Sequence, residues 1–365
     1  MPNLTTITIR DVARQAGVSV PAASVVLSGA ATGTTAVGAA ARARIRLAAQ
    51  ELGYRPNLAG RGIRQGKSFL FGVLLDDANA HLLPAVMRGA QEAMAARSCA
   101  PLFFTHRSLA EETRNLELCQ ARHVDGLIVN VRSGAGAQEP SRRYAAWRRR
   151  KPVVELFGRF LTDASAVCLD MAAAARVAVE RLAALGHRRI LLLTHELYDT
   201  ARRGGSFNLD AWEHACGYTT AMKALKLTPA VARVTLDQVT SDEDWATRAA
   251  AAMAPLLSGP ARHRPTAVLC YNDWVACGAL RAAAAANVAV PRDLSVVGLD
   301  NLPMGAALQP GLTSVAFPGE ALGGRAAELV MAATPAAAAT LPPLPHPAWI
   351  NRGSVAAAKG GDAMT

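Results

Sequence analysis

Thr8-Ile9-Arg10-Asp11-Val12-Ala13-Arg14-Gln15-Ala16-Gly17-Val18-Ser19 reads as a capped helix, a glycine turn and a fresh cap. Thr8 can cap the first helix, and Asp11 three residues on completes a capping box near the positive end of the helix dipole. Ile9, Val12, Ala13 and Ala16 then share one face at helical spacing. Gly17 stops the helix, Val18 plugs the corner, and Ser19 caps a second helix from Val20 to Leu27. Two short helices joined through such a turn form the helix-turn-helix unit, whose second helix enters a DNA major groove. The same pattern also builds plain corners in all-helical domains; the residues that follow distinguish the two.

Val37 to Leu52 supplies a third helix, with Ile45, Ala48, Ala49 and Leu52 on one side and Arg42, Arg44 and Arg46 left to face outward. Gly53 ends it, and Pro56 takes Tyr54-Arg55-Pro56-Asn57 out of helical geometry. With Thr8–Ala13, Ala16–Ser19, Ser24, Val26-Leu27 and Glu51–Asn57 together, the chain resembles the LacI/GalR family of bacterial transcription regulators over nearly its whole length. The resemblance implies three parts: a helix-turn-helix DNA-binding head over residues 1–56, a hinge over 57–68, and an effector-binding and dimerisation domain over 69–365.

Composition agrees with that division. The chain has 365 residues, enough for more than one core, and a net charge of +11. Residues 1–67 hold nine basic side chains against Asp11 and Glu51, a net +7 that leaves +4 for everything else. A small basic head on a nearly balanced body is the footprint of phosphate-backbone binding. The basic cluster Arg142-Arg143 and Arg148–Lys151 reads as a solvated helix face rather than a second nucleic-acid site. No apolar run approaches a membrane span, no secretory signal is visible, and six cysteines stand scattered without metal-ligand spacing. Reduced thiols and a cytoplasmic location are therefore expected.

From Phe69 onward, short aliphatic runs alternate with amphipathic stretches. Strands are expected at 70–75, 102–105, 126–131, 153–157, 190–194, 231–236, 267–271 and 295–299, with helices at 82–97, 109–121, 141–150, 171–185, 211–225, 242–257, 274–286 and 319–333. Such alternation implies right-handed crossovers and parallel sheets. Eight strands exceed one doubly wound unit, so an α/β body of two Rossmann-like lobes is expected. The resemblance implies the same: a two-lobed, periplasmic-binding-protein-like body with crossovers near 167–170, 298–301 and 316–318.

Ligands of such sheets bind beyond the carboxyl ends of strands, between the lobes. Arg107, Asn130, Asn272 and Asp300 stand at those ends, and all four match effector-contacting positions of the family. Amides donate and accept, and a carboxylate accepts from paired hydroxyls, which suits sugars. The alternative is that Asn272, Asp273 and Asp300 cap following helices; for Asp273 capping is the expected role, for Asn272 and Asp300 ligand contact. Two positions depart from the family: His214 replaces a frequent Arg three residues before Gly217, and Phe157 replaces a strand-end carboxylate. An imidazole and a phenyl in place of a guanidinium and a carboxylate favour a flatter or more apolar ligand. Trp212 and Trp245 are expected to pack in the core rather than stack on a sugar.

The resemblance places DNA contacts at Thr8, Arg10, Ser19, Val20, Pro21, Ser24, Val25, Tyr54, Asn57 and Ile63. Val20 and Pro21 occupy the base-reading positions and Val25 replaces a frequent Arg; apolar groups touch thymine methyls but make no bidentate bond to guanine. Ser19, Ser24 and Arg10 suit phosphate contacts. Ile63 holds the position that wedges into the minor groove when the hinge becomes helical on an operator, and Gly60 and Gly62 weaken that helix by about 1 kcal/mol each. The loop Ser28–Val37 is longer than the family norm.

Rival readings lack support. Gly66-Lys67-Ser68 imitates the end of a P-loop, but Arg61 stands where its first glycine belongs. Gly134 and Gly136 lack the third glycine of a dinucleotide fingerprint, and no nucleophile elbow or metal motif occurs. A periplasmic receptor has no use for the basic head. The sequence therefore predicts no enzyme, no cofactor and no metal. It predicts a regulator, most often a repressor in this family. Its expected partners are double-stranded operator DNA, a sugar-like effector and a second copy of the chain; the tail after Asn351 shows no leucine heptad for higher assembly.

Overall fold

The computed structural model describes residues 7–28, 37–55, 65–76, 82–131, 139–161, 164–195, 209–235, 242–332, 341 and 344–359. The chain divides into two compact units, residues 1–69 and 70–365. Asn57 and Ile63 lie outside the described residues, as do Gly60, Gly62 and the loop 29–36.

The first unit is built from α1 (Ile9–Ala16), α2 (Val20–Ser28) and α3 (Ala39–Glu51). Val12, Ala13, Ala16, Ala23, Val26, Ile45, Ala48 and Ala49 form its buried centre. These side chains are small or branched, which lets three short helices approach closely around a thin core. Gln15 Nε2 donates to Glu51 at 2.6 Å and Arg44 Nε donates to Ala16 O at 3.3 Å, tying α1 to α3.

The second unit holds two sheets. The first comprises β1 (Leu70–Asp76), β2 (Ala100–His106), β3 (Gly126–Val129), β4 (Val153–Leu156) and β5 (Ser165–Val167), in the order β2-β1-β3-β4-β5, all parallel. Its helices are α4 (Leu83–Ala95), α5 (Leu109–Ala121) and α6 (Glu139–Arg148). Strand alternation sends Phe71, Val73 and Leu75 of β1 to one face and Leu74 to the other. Both faces are apolar because both are covered, as parallel sheets require.

The second sheet contains β6 (Ile190–His195), β7 (Ala230–Val234), β8 (Ala267–Cys270), β9 (Ser295–Leu299), β10 (Thr313–Ala316) and β11 (Ala348–Ile350). Its order is β11-β10-β9-β8-β6-β7, and only the β10–β11 pair is antiparallel. Around it pack α7 (Met171–Ala184), α8 (Leu209–Ala224), α9 (Asp242–Ser258) and α10 (Asp273–Ala285), while the short α11 (Met304–Ala307) links β9 to β10.

The chain enters the second lobe after β5 and returns after β10, because α12 (Gly319–Met331) packs on α4 and on β3, β4 and β5 of the first sheet. The α4–α12 contact is as close as backbones permit. A Cβ on Gly89 would lie 1.9 Å from the Glu320 carbonyl oxygen, and one on Gly323 would lie 1.9 Å from that of Val86. The crossover expected at 298–301 is not there. β9 ends at Leu299, and the chain stays in the same sheet, pairing Thr313 with Val297. The remaining passage lies between Met331 and Ala348, since α12 belongs to the first lobe and β11 to the second.

In the basic cluster Arg142, Arg149 and Arg150 are exposed, as a solvated face requires, but Arg143 departs from it. Arg143 pairs with Glu112, whose carboxylate is fully buried and also accepts from the Tyr144 hydroxyl at 2.6 Å. A carboxylate removed from water needs such partners, so Arg143 turns inward to bind α6 to α5. Among the described residues no helix is long and apolar enough to cross a membrane.

Candidate DNA-binding head and effector cleft

In the head, the Asp11 carboxylate accepts from the Thr8 backbone N–H at 2.9 Å and from the Thr8 hydroxyl at 2.7 Å. Those bonds, helped by Arg14, hold its carboxyl below the ordinary carboxylate range. Gly17 takes φ 60 and ψ 44, and the Val18 N–H donates back to Ala13 O at 3.0 Å. This is the left-handed helix end that glycine adopts without strain, and it turns the chain sharply into α2. Ser19 then accepts from the Ala22 N–H at 3.3 Å, opening α2 as its cap. Val20 and Pro21 stand exposed on the first turn of α2, while Ser24 and Val25 are half-buried beside them. Thr8, Arg10 and Ser19 are exposed and Tyr54 packs against the head's core. α2 thus offers a small, uncharged surface, with Arg10, Arg42, Arg46 and Arg55 exposed on the same unit.

In the body, the residues expected at strand ends fall into two groups. Beyond the first sheet, Arg107 is exposed and its backbone N–H donates to Glu111 at 2.7 Å. Asn130 is buried, with Nδ2 donating to Leu156 O at 3.2 Å. Phe157 is buried in the apolar cluster with Leu156 and Val167, at φ 60. Beyond the second sheet, Asn272 Oδ1 accepts from the Val275 N–H at 2.8 Å and so caps α10, which leaves Nδ2 as the group it can offer a ligand.

Asp273, expected as a cap, does other work. It is fully buried, accepting from Leu302 N–H at 2.6 Å and from the Ser314 hydroxyl at 2.7 Å. Arg352 donates to Asn301 Oδ1 and to Leu312 O, each at 2.6 Å. Together they brace the turn after β9, where Asp300 and Asn301 both take positive φ, 92 and 55. Strain of this kind in non-glycine residues persists only where neighbours over-determine it, and it concentrates at ligand sites. Burial lifts the Asp273 carboxyl to about 7, against the pull of its two donors.

His214 lies on α8, where Gly217 allows the helix to press against α7: a Cβ there would meet Ala172 O at 2.4 Å. Its imidazole is fully buried, and burial with His195 nearby lowers it to about 3. His195 ends β6, is also fully buried, and is lowered to about 4 by burial. None of the four ring nitrogens has a hydrogen-bond partner, nor does the buried Thr194 hydroxyl. Tyr271 meets both imidazoles edge-on, with centroids 4.7 Å from His195 and 6.1 Å from His214, and stacks near-parallel to Trp245 at 6.2 Å. Trp245 therefore belongs to this ring cluster. Trp212 is 42% exposed and lines a separate cavity of about 590 Å³ with Arg159, Cys168, Asp170, Glu213 and Phe317, where the crossing segments converge. Asp210, also on α8, is pushed up to about 7 by burial, then by Glu213 and Asp300.

Sequence reasoning missed His195 and Tyr271. The strand-end rule that singled out Arg107 and Asn130 applies equally to His195, the last residue of β6. Among the described residues no three potential metal ligands cluster.

A helix-turn-helix unit followed by two parallel-sheet lobes linked by crossing segments defines a class: regulators with a ligand-binding-type body. Residues 8–57 match the family described as bacterial regulatory proteins, lacI family, and residues 179–355 match the periplasmic binding protein-like domain. The chain is 30% identical over 337 residues to the HTH-type transcriptional regulator GalS of Salmonella typhimurium, covering 89% of each protein. It is 28% identical to the ribose operon repressor of Escherichia coli, covering 89% of this chain and 92% of that one. The fold resembles a crystal structure of the Lac repressor dimer bound to operator and the anti-inducer ONPF, with TM-score 0.70 and 23% identity over 97% of this chain and 100% of the other. The chain belongs to the LacI family of DNA-binding transcription regulators.

Proposed function

We propose that this regulator works as a homodimeric repressor in the cytoplasm, its operator affinity set by a sugar or related small metabolite bound between the lobes. Two heads read the half-sites of a pseudo-palindromic operator. Ser19, Val20, Pro21, Ser24 and Val25 lie along the groove-facing side of α2, Thr8, Arg10, Tyr54 and Asn57 hold the backbone, and Ile63 enters the minor groove. Arg107 and Asn130 from the first lobe and His214, Asn272 and Asp300 from the second contact the effector, while Phe157, expected among them, is taken up by the core. Its binding changes lobe closure, and the coupling acts equally on DNA and ligand affinity. A sugar or related metabolite is the class suggested by relatives such as the ribose operon repressor.

One observation carries the cleft assignment: Asp300 and Asn301 are held at positive φ at the carboxyl end of β9 by buried Asp273 and Ser314 together with half-buried Arg352. Such bracing is costly for a surface turn and serves to aim a side chain.

The test is fluorescence anisotropy of the full chain on footprinted genomic DNA, with and without candidate effectors. Operator affinity should fall steeply with salt, drop on Ser24→Asp, and shift with effector in a way that Asp300→Ala abolishes. An effector response unchanged by Asp300→Ala would move the site out of the cleft.

A further inference from the structure

We propose that the second lobe grips its effector through an uncharged nitrogen-heterocyclic group, of nucleobase type, hydrogen-bonded at its edge by His195 and His214. This deepens the cleft reading above and rests on it.

Two imidazoles on different elements, one ending β6 and one on α8, are both fully buried and both lack partners at Nδ1 and Nε2. A core histidine ordinarily satisfies at least one ring nitrogen, because an unpaired buried polar atom is costly. Two such residues near one another, both meeting Tyr271, mark a place that completes itself with a polar guest. The site lies at the carboxyl ends of β6 and β8, where ligands of parallel sheets bind.

The surroundings narrow the guest. Burial keeps both rings neutral, so the pair brings no positive charge to favour an anion. Vicinal sugar hydroxyls are best held by carboxylates, amides or a guanidinium fork, each with two matched atoms. A neutral imidazole instead offers one donor and one acceptor in its own plane. That pattern complements the in-plane N–H, ring nitrogen and carbonyl edge of a heterocycle. Tyr271 and Trp245, both half-buried, supply π-faces alongside.

The experiment titrates the full chain by calorimetry with adenine, hypoxanthine, cytosine, uracil and their ribosides, against ribose, galactose and galacturonate. At least one heterocycle should bind, and His195→Leu or His214→Leu should each weaken it at least about tenfold, with partial rescue by His→Asn. Ring ¹⁵N spectra of the unsubstituted protein provide a second readout, independent of whether the leucine variants fold: the ligand should shift both imidazoles without protonating them. Failure of every heterocycle to bind at millimolar concentration overturns the proposal, as does binding that leaves both ring spectra unmoved. A sugar that binds, is lost in Asn272→Asp and ignores both histidines would sink this inference while sparing the cleft itself. Heterocycle binding that needs the histidines but is indifferent to Asn272→Asp and Asp300→Ala would instead overturn the wider cleft assignment alone.

Discussion

Ser314 donates its hydroxyl to the Asp273 carboxylate at 2.7 Å, joining residues 41 positions apart in sequence. The bond fastens the start of α10 to β10, and the turn carrying Asp300 is held between them. Asp273→Ala strips the buried Ser314 hydroxyl and Leu302 N–H of their acceptor. It should cost about 3 kcal/mol in urea unfolding and weaken effector binding as the turn loosens.

The buried titratable groups set opposite pH dependences. Asp273 and Asp210 are raised to about 7, so their contribution is present below the unfolded value near 4 and is lost as pH rises through about 7. His195 and His214 are lowered to about 4 and about 3, so theirs is present above 6.5 and is lost as pH falls towards those values. Asp273→Asn should therefore gain on the natural protein as pH is raised from about 5 to about 8. Equal urea midpoint differences at both ends would contradict a neutral Asp273.

Gly89→Ala or Gly323→Ala drives a methyl into a facing carbonyl, and should destabilise the body by about 3 kcal/mol as α4 and α12 are forced apart. Gly324 is one residue along the same helix, and its added Cβ would meet nothing nearer than 3.7 Å. Gly324→Ala should stabilise by about 0.5–1 kcal/mol through helix propensity. Thermal denaturation of the three variants separates the two effects.

Asn272 separates capping from ligand contact. Asn272→Asp keeps the acceptor for the Val275 N–H but removes the amide donor, so stability should hold while the effector response falls. Asn272→Ala should lose both, with about 1 kcal/mol of stability. If Asn272→Asp responded to effector normally, the residue would be a cap and nothing more.

Ser19→Ala removes the acceptor at the start of α2, lowering head stability by about 1 kcal/mol. Operator affinity should drop roughly fivefold while effector binding by the body is unchanged. Parallel anisotropy and calorimetry titrations report the two.

Each body strand expected from aliphatic runs formed, within a residue or two where its ends are described. β5, β10 and β11 went unseen because they are three or four residues long and, in Thr313-Ser314-Val315-Ala316, half polar. Such segments carry no periodicity, and their neighbours in the sheet make them strands. The crossover mistaken at 298–301 has the same origin. A turn after β9 looks identical in sequence whether the next strand lies in the same sheet or the other. Phe157 and His214 were recognised as departures, but that Phe157 joins the core and His214 meets Tyr271 required the folded chain.

What the amino-acid order determined unaided is the head. Its cap at Thr8, its stop at Gly17 and its restart at Ser19 act across three to five residues, so local chemistry suffices to write them. The alternation of the body into two α/β lobes is equally local. What only the tertiary structure decided is which distant residues meet: α12 with α4, Asp273 with Ser314, and His195 with His214 and Tyr271. Those encounters depend on sheet order and on how closely helices approach, and neither is encoded in any single segment.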